Sequence, residues 1–192
     1  MTGADVLSTI RVALAFLIAG AGTIFLTPGA PAVLLFAFLF GVATDIVGGI
    51  VARGRETLQG RVFDSIADEA LVYGVLLPLA RSGFPALFPL QLLLARDAVA
   101  VAVQVVAARQ GQVLSIGRSG QLKTAILYMA CAALLTLAWL QSGAGPVTID
   151  PGDLSTILPF LLLSQLAIVV GLLLSLVTLF RYIMTLRSRR AA

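Results

Sequence analysis

With 192 residues, 59% of them hydrophobic and only 11% charged, the chain falls well short of the roughly 25% charge of a soluble domain. It has no histidine and one cysteine, Cys131, which excludes Ser-His and imidazole catalysis, histidine metal ligation, an intrachain disulfide and a multi-cysteine zinc site. The net charge of +4 is no sign of a nucleic-acid partner, because the basic residues follow membrane logic. Carboxylates, Lys and Arg, hydroxyls and a bound metal remain as the available chemistry.

Repeated apolar runs of about 20 residues predict an all-α integral membrane protein, since a helix satisfies its own backbone in hydrocarbon. Six spans are expected: residues 5–26, 31–53, 61–80, 86–108, 120–140 and 154–187. Pro and Gly punctuate most of the short connections, while Pro78, Pro89 and Pro159 fall inside or at the ends of spans. Arg11 interrupts the first run where a cleaved leader would be apolar, so that run reads as a true span. Arg53, Arg55 and Arg61, then Arg109, Arg118 and Lys123, then Arg187, Arg189 and Arg190 fall on one side of a six-span arrangement. The opposite side has Arg81 and a loop with Asp150 and Asp153. This bias predicts that both termini and the first group of loops are cytoplasmic. The whole chain, 1–192, reads as one domain.

The polar exception is the stretch from Asp45 to Glu69, DIVGGIVARGRETLQGRVFDSIADE. Asp45, Gly48, Gly49 and Ala52 are spaced to share one face of the second helix. Gly60, Asp64 and Asp68 share one face of the third. Across the short turn GRETLQ the two faces are expected to meet. Carboxylates near hydrocarbon are costly unless paired or bound to a cation, and three together repel unless a hard divalent ion sits between them. Mg²⁺ and Mn²⁺ take such oxygen ligands together with substrate phosphates. The small residues opposite would let a phosphate-bearing ligand approach the backbone. Taken singly, small residues in membrane helices serve packing, arginines set orientation and edge aspartates pair with them. The combination points to a site.

These residues resemble the signature of the CDP-alcohol phosphatidyltransferase family, D-x-x-D-G-x-x-A-R followed by G-x-x-x-D-x-x-x-D. Asp45, Gly49, Ala52, Arg53, Gly60, Asp64 and Asp68 stand in the matching order. VLSTIRVALAF, with Arg11, is similar to the family's first helix. LARDAVAVAVQ, with Arg96 and Asp97, and GRSGQLKTA, with Gly120, Lys123 and Thr124, resemble segments of the phosphatidylglycerophosphate synthase branch. The resemblance implies transfer of a phosphatidyl group from CDP-diacylglycerol to an alcohol, glycerol 3-phosphate being favoured, with release of CMP. It implies that Asp45, Asp64 and Asp68 hold Mg²⁺ or Mn²⁺, with Asp68 also a candidate for the catalytic base. It assigns Gly49, Ala52, Arg53 and Gly60 to the nucleotide and its phosphates, and Arg96, Arg118 and Lys123 to an anionic acceptor. It further implies six helices in the cytoplasmic (inner) membrane, a site facing the cytoplasm, and homodimers as in many members.

Two features depart from the family. The second motif aspartate is Gly48, and six residues separate Arg53 from Gly60 where eight are usual. Neither glutamate is well placed to substitute: Glu56 lies in the turn and Glu69 points roughly 100° away from Asp68 on a helix. Three readings therefore stay open: an active transferase with an altered metal site, a catalytically impaired relative that binds nucleotide-lipid or a partner protein, and a small transporter with intramembrane charges.

Overall fold

The computed structural model describes residues 3–21, 29–51, 57–81, 87–110, 118–143 and 153–190. Among them lie six helices: α1 Gly3–Ala21, α2 Ala30–Val51, α3 Leu58–Arg81, α4 Leu87–Arg109, α5 Arg118–Gln141 and α6 Leu154–Arg190. They correspond one to one to the expected spans. Pro78 and Pro159 lie inside α3 and α6, and Pro89 in the first turn of α4. Gly29 and Gly143 have positive φ, a conformation that a residue without Cβ adopts at no steric cost. The α6 N-terminus is capped by Asp153, whose carboxylate accepts hydrogen bonds from Ser155 and Thr156. Those bonds hold the Asp153 carboxyl below the usual carboxylate range.

Among the described residues four helices are long and apolar enough to cross a membrane: α2, α4, α5 from Ser119 and α6 as far as Thr185. Their outer faces carry exposed large apolar side chains, among them Phe36, Phe88, Met129, Leu162 and Phe180. A soluble monomer does not expose apolar surface on this scale, so these faces mark the lipid-facing side of a membrane protein. The two remaining helices, α1 and α3, carry charge for a structural reason. From Leu71 to Ala80 every residue of α3 but Leu77 is buried, and among its described side chains Ile66 is the one exposed large apolar residue. α3 is the central helix, packed on α1, α4 and α5. Its polar side chains face protein, not lipid, which is where intramembrane charge can be paired.

The order of packing departs from the expected pairing of α2 with α3. Those two helices touch only slightly, because α1 packs extensively against both. On the other side α6 packs against α4 and α5. The core between them is aliphatic, with the rings of Phe38 and Tyr128 edge to face at 5.8 Å. The tightest crossing is α1 on α3, where a Cβ added at Gly74 would lie 2.7 Å from the Ala15 carbonyl oxygen. The obstacle there is backbone and cannot rotate away. Gly74→Ala is therefore expected to cost about 1–3 kcal/mol through overpacking. The test is the melting temperature in detergent, compared with Gly49→Ala, where an added Cβ meets open space. Equal melting temperatures for the two variants would refute this account of the α1–α3 contact.

Candidate active site

Polar side chains gather where the N-terminal halves of α1 and α5 and the C-terminal halves of α2 and α6 meet the middle of α3 and α4. They form two groups that share α3. In the first, Asp45 of α2 and Asp64 and Asp68 of α3 bring one carboxylate oxygen each within 4.8 Å of one another. The i, i+4 spacing of Asp64 and Asp68 puts both on one face of α3. At their centre is Arg11 of α1, fully buried. Its Nη1 donates to Asp45 at 3.0 Å and also to Asp68, and its Nη2 donates to Asp64. Ser8, one turn earlier, donates to Asp64 at 2.9 Å and accepts from Arg11 Nη2 at 3.2 Å.

Three carboxylates facing each other need a positive charge between them, and the chain supplies one of its own. The donor set also suits a hard divalent cation: all ligands are carboxylate oxygens from two helices, and none is nitrogen or sulfur. These aspartates could thus hold a metal ion. Gly48, where the resemblance expects a fourth carboxylate, is buried against α1, and a Cβ there would lie 3.6 Å from Arg11 Nη2. That is ordinary contact, so the position faces the same charge cluster and is empty only of side chain. Of the small residues, Gly49 borders open space, whereas a Cβ at Gly60 would meet Thr57 Oγ1 at 3.0 Å and Asp5 Oδ1 at 3.2 Å. Gly49 thus leaves room for a ligand, and the space at Gly60 is already lined. Ala52 and Arg53 lie outside the described residues, as does the Arg118 side chain.

The second group centres on Asp97 of α4, which is 1% exposed. Its Oδ1 accepts from Arg96 at 2.8 Å and Ser175 at 2.7 Å; its Oδ2 accepts from Tyr73 at 2.8 Å and Lys123 at 3.1 Å. With four donors from four helices, this carboxylate is fully satisfied. Arg96 and Lys123 therefore do come together, as the acceptor assignment requires, but each is already engaged by Asp97. Lys123 also reaches Glu69 at 3.4 Å, while Arg96 keeps Nε and Nη2 buried with no hydrogen-bond partner. A small cavity of about 10 Å³, roughly one water in size, joins the two groups. Asp68, Glu69, Tyr73, Asp97, Lys123 and Thr124 line it, together with Val72 and Leu127. Glu69 turns away from the aspartate cluster, as its helical angle predicts.

Sequence reasoning named Arg11 and Asp97, the centres of the two groups, as part of the resemblance but gave neither a role. Arg11 was legible as a resemblance in the first helix, but its place among the aspartates depends on α1 lying between α2 and α3. A charged residue inside an apolar span, with Ser8 at i−3, was the available signal. Asp97, Tyr73 and Ser175 are far apart in sequence and carry no common signal. Tyr128, whose buried hydroxyl acts on Asp68, was likewise missed.

Residues 1–177 match the family model described as CDP-alcohol phosphatidyltransferase. The chain is also similar to the CDP-diacylglycerol–glycerol-3-phosphate 3-phosphatidyltransferase of Treponema pallidum (strain Nichols), with 34% identity over 90 residues. That match takes in 46% of this chain and 42% of the relative's length.

Because Arg11 is the cation that holds the carboxylates together, Arg11→Met should lower the melting temperature in the presence of EDTA. Removing one partner of a fully buried pair costs about 3–5 kcal/mol. The loss should be smaller here, roughly 2 kcal/mol, since Asp64 is 44% exposed and screened by solvent. Mn²⁺ should then stabilise the variant more than the parent. A variant as stable as the parent in EDTA would show that the carboxylates do not depend on this charge.

Proposed function

The chain belongs to the CDP-alcohol phosphatidyltransferase family, and from that premise we propose that it transfers a phosphatidyl group from CDP-diacylglycerol to an alcohol, with glycerol 3-phosphate as acceptor and CMP as the leaving product. The observation that carries this reading is the convergence of Asp45, Asp64 and Asp68 at the motif positions. In this reading Asp45, Asp64 and Asp68 hold Mg²⁺ or Mn²⁺, which when bound neutralises pyrophosphate charge and stabilises the leaving group. Gly49, beside open space, gives the nucleotide's phosphates access to α2, and the resemblance assigns Ala52, Arg53 and Gly60 to the same ligand.

The acceptor enters from the Lys123 side of the cavity. Its hydroxyl must lose a proton as its oxygen bonds to the phosphorus that carries the lipid, while the bond from that phosphorus to CMP breaks. Asp68 borders both the aspartate cluster and the cavity, which suits it to take that proton. Arg96, with two unpartnered donors, and Lys123 hold the acceptor's anion, with Arg118 as a third cation. The similarity to the Treponema pallidum protein favours glycerol 3-phosphate. We place all six helices across the cytoplasmic membrane, with both termini and the site on the cytoplasmic side, following the Lys/Arg bias. There a lipid donor and a water-soluble acceptor can meet.

One observation favours a second reading. Gly48 withholds a carboxylate, and Arg11 occupies the point where the remaining three converge. A relative impaired in this way would bind nucleotide-lipid, or a partner protein, without turning it over.

Purified protein in detergent, given CDP-diacylglycerol, glycerol 3-phosphate and Mg²⁺ or Mn²⁺, is expected to release CMP. Asp64→Asn and Asp68→Asn should each reduce that release by at least roughly 10²-fold. Full activity in either variant would sink its assigned role. Retained binding of CDP-diacylglycerol with no CMP released, whatever the acceptor, would favour the second reading. Gly48→Asp restores a carboxylate where a Cβ already fits, and should tighten Mn²⁺ binding in a direct titration. Unchanged affinity would mean that the position does not face the metal.

A further inference from the structure

Asp68 and Glu69 are neighbours in sequence but serve different groups. Roughly 100° of helical rotation separates consecutive side chains. Asp68 turns to Arg11, and Glu69 turns to Lys123. Both line the cavity that joins the two groups.

The charges of the second group cancel as they stand: Arg96 and Lys123 against Asp97 and Glu69. The two carboxylates are not equivalent. Asp97 is buried, and its oxygens accept four hydrogen bonds of 2.7–3.1 Å. Nothing can displace it without stranding those donors. Glu69 holds Lys123 at 3.4 Å, long for a charge-assisted bond, and its side chain is 17% exposed. It is the replaceable partner. Arg96 acts electrostatically on Glu69 as well, and its Nε and Nη2 are buried without a partner. An anion that replaces the Glu69 carboxylate at Lys123 leaves that ammonium's bond to Asp97 intact, and Glu69 now stands in its place.

We propose that Glu69 is a specificity residue for the acceptor: its carboxylate holds Lys123 in the resting protein and yields when the acceptor's phosphate arrives. The proposal rests on the reading of Arg96 and Lys123 as acceptor-binding. A small anion that meets only Lys123 must displace Glu69 for one contact. A phosphorylated alcohol that takes the place of the Glu69 carboxylate also brings its hydroxyl towards Asp68, which lines the same cavity once Glu69 has moved out of it. The carboxylate therefore disfavours free phosphate more than a phosphorylated alcohol, as a like charge placed against the wrong partner does.

The test uses Glu69→Gln and Lys123→Met in the full chain in detergent. Inorganic phosphate binding is measured by calorimetry, and KM and kcat are measured with glycerol 3-phosphate. Glu69→Gln should bind phosphate roughly tenfold more tightly and lower KM several-fold. Its kcat should stay within about threefold, because Glu69 takes no proton in the reaction. The gain should vanish in the Glu69→Gln, Lys123→Met double variant, as expected of two residues that act through one contact. If Lys123→Met weakens phosphate binding but Glu69→Gln leaves it unchanged or weaker, the role of Glu69 is refuted and the acceptor site stands. If Lys123→Met changes neither phosphate binding nor KM, the acceptor binds elsewhere and both readings fall.

Discussion

A guanidinium shut off from solvent has to be surrounded by acceptors. In this protein the arginine comes from α1 and the acceptors from α2 and α3. Arg11 therefore ties together three helices whose remaining contacts are largely apolar and carry less information about rotation or register. Leucine against leucine tolerates a slide of a turn; a forked cation shared by three carboxylates does not. The close approach at Gly74 brings α1 near enough for the arginine to reach, and Ser8 completes the arrangement from the same face. The geometry that makes the site is thus the geometry that fixes the helices.

A second hub does the same on the other side of α3. Asp97 collects donors from α3, α4, α5 and α6. α3 contributes to both hubs, Asp64 and Asp68 to one, Tyr73 and Glu69 to the other. This explains why the central helix is the one least suited to lipid. Its charged face needs protein on several sides, and it is given protein on several sides. The cavity lies between the hubs and is lined by residues of both.

The fold was largely legible because hydropathy is a local property. Six apolar runs gave six helices, and the boundaries that fall within the described residues agree closely with those expected. The aspartates were legible for a similar reason: a spacing of four on a helix fixes a shared face whatever packs against it. Gly49 and Gly48 show where this stops. They are adjacent in the motif, yet one borders open space and the other is buried under α1. Which side of α2 is covered here depends on Leu7 and Arg11 of α1, far earlier in the chain.

The sequence by itself determined the class of protein, the number of helices and the set of carboxylates, each through composition or periodicity within one segment. Tertiary structure decided which charges meet. α1 lies between α2 and α3, so among the described residues the cation at the aspartates is Arg11. The bundle brings Glu69 to Lys123 and four donors to Asp97. Partners of this kind are chosen by burial: an ionic group removed from water takes whatever opposite charge the packing brings within reach, and no local pattern records that choice.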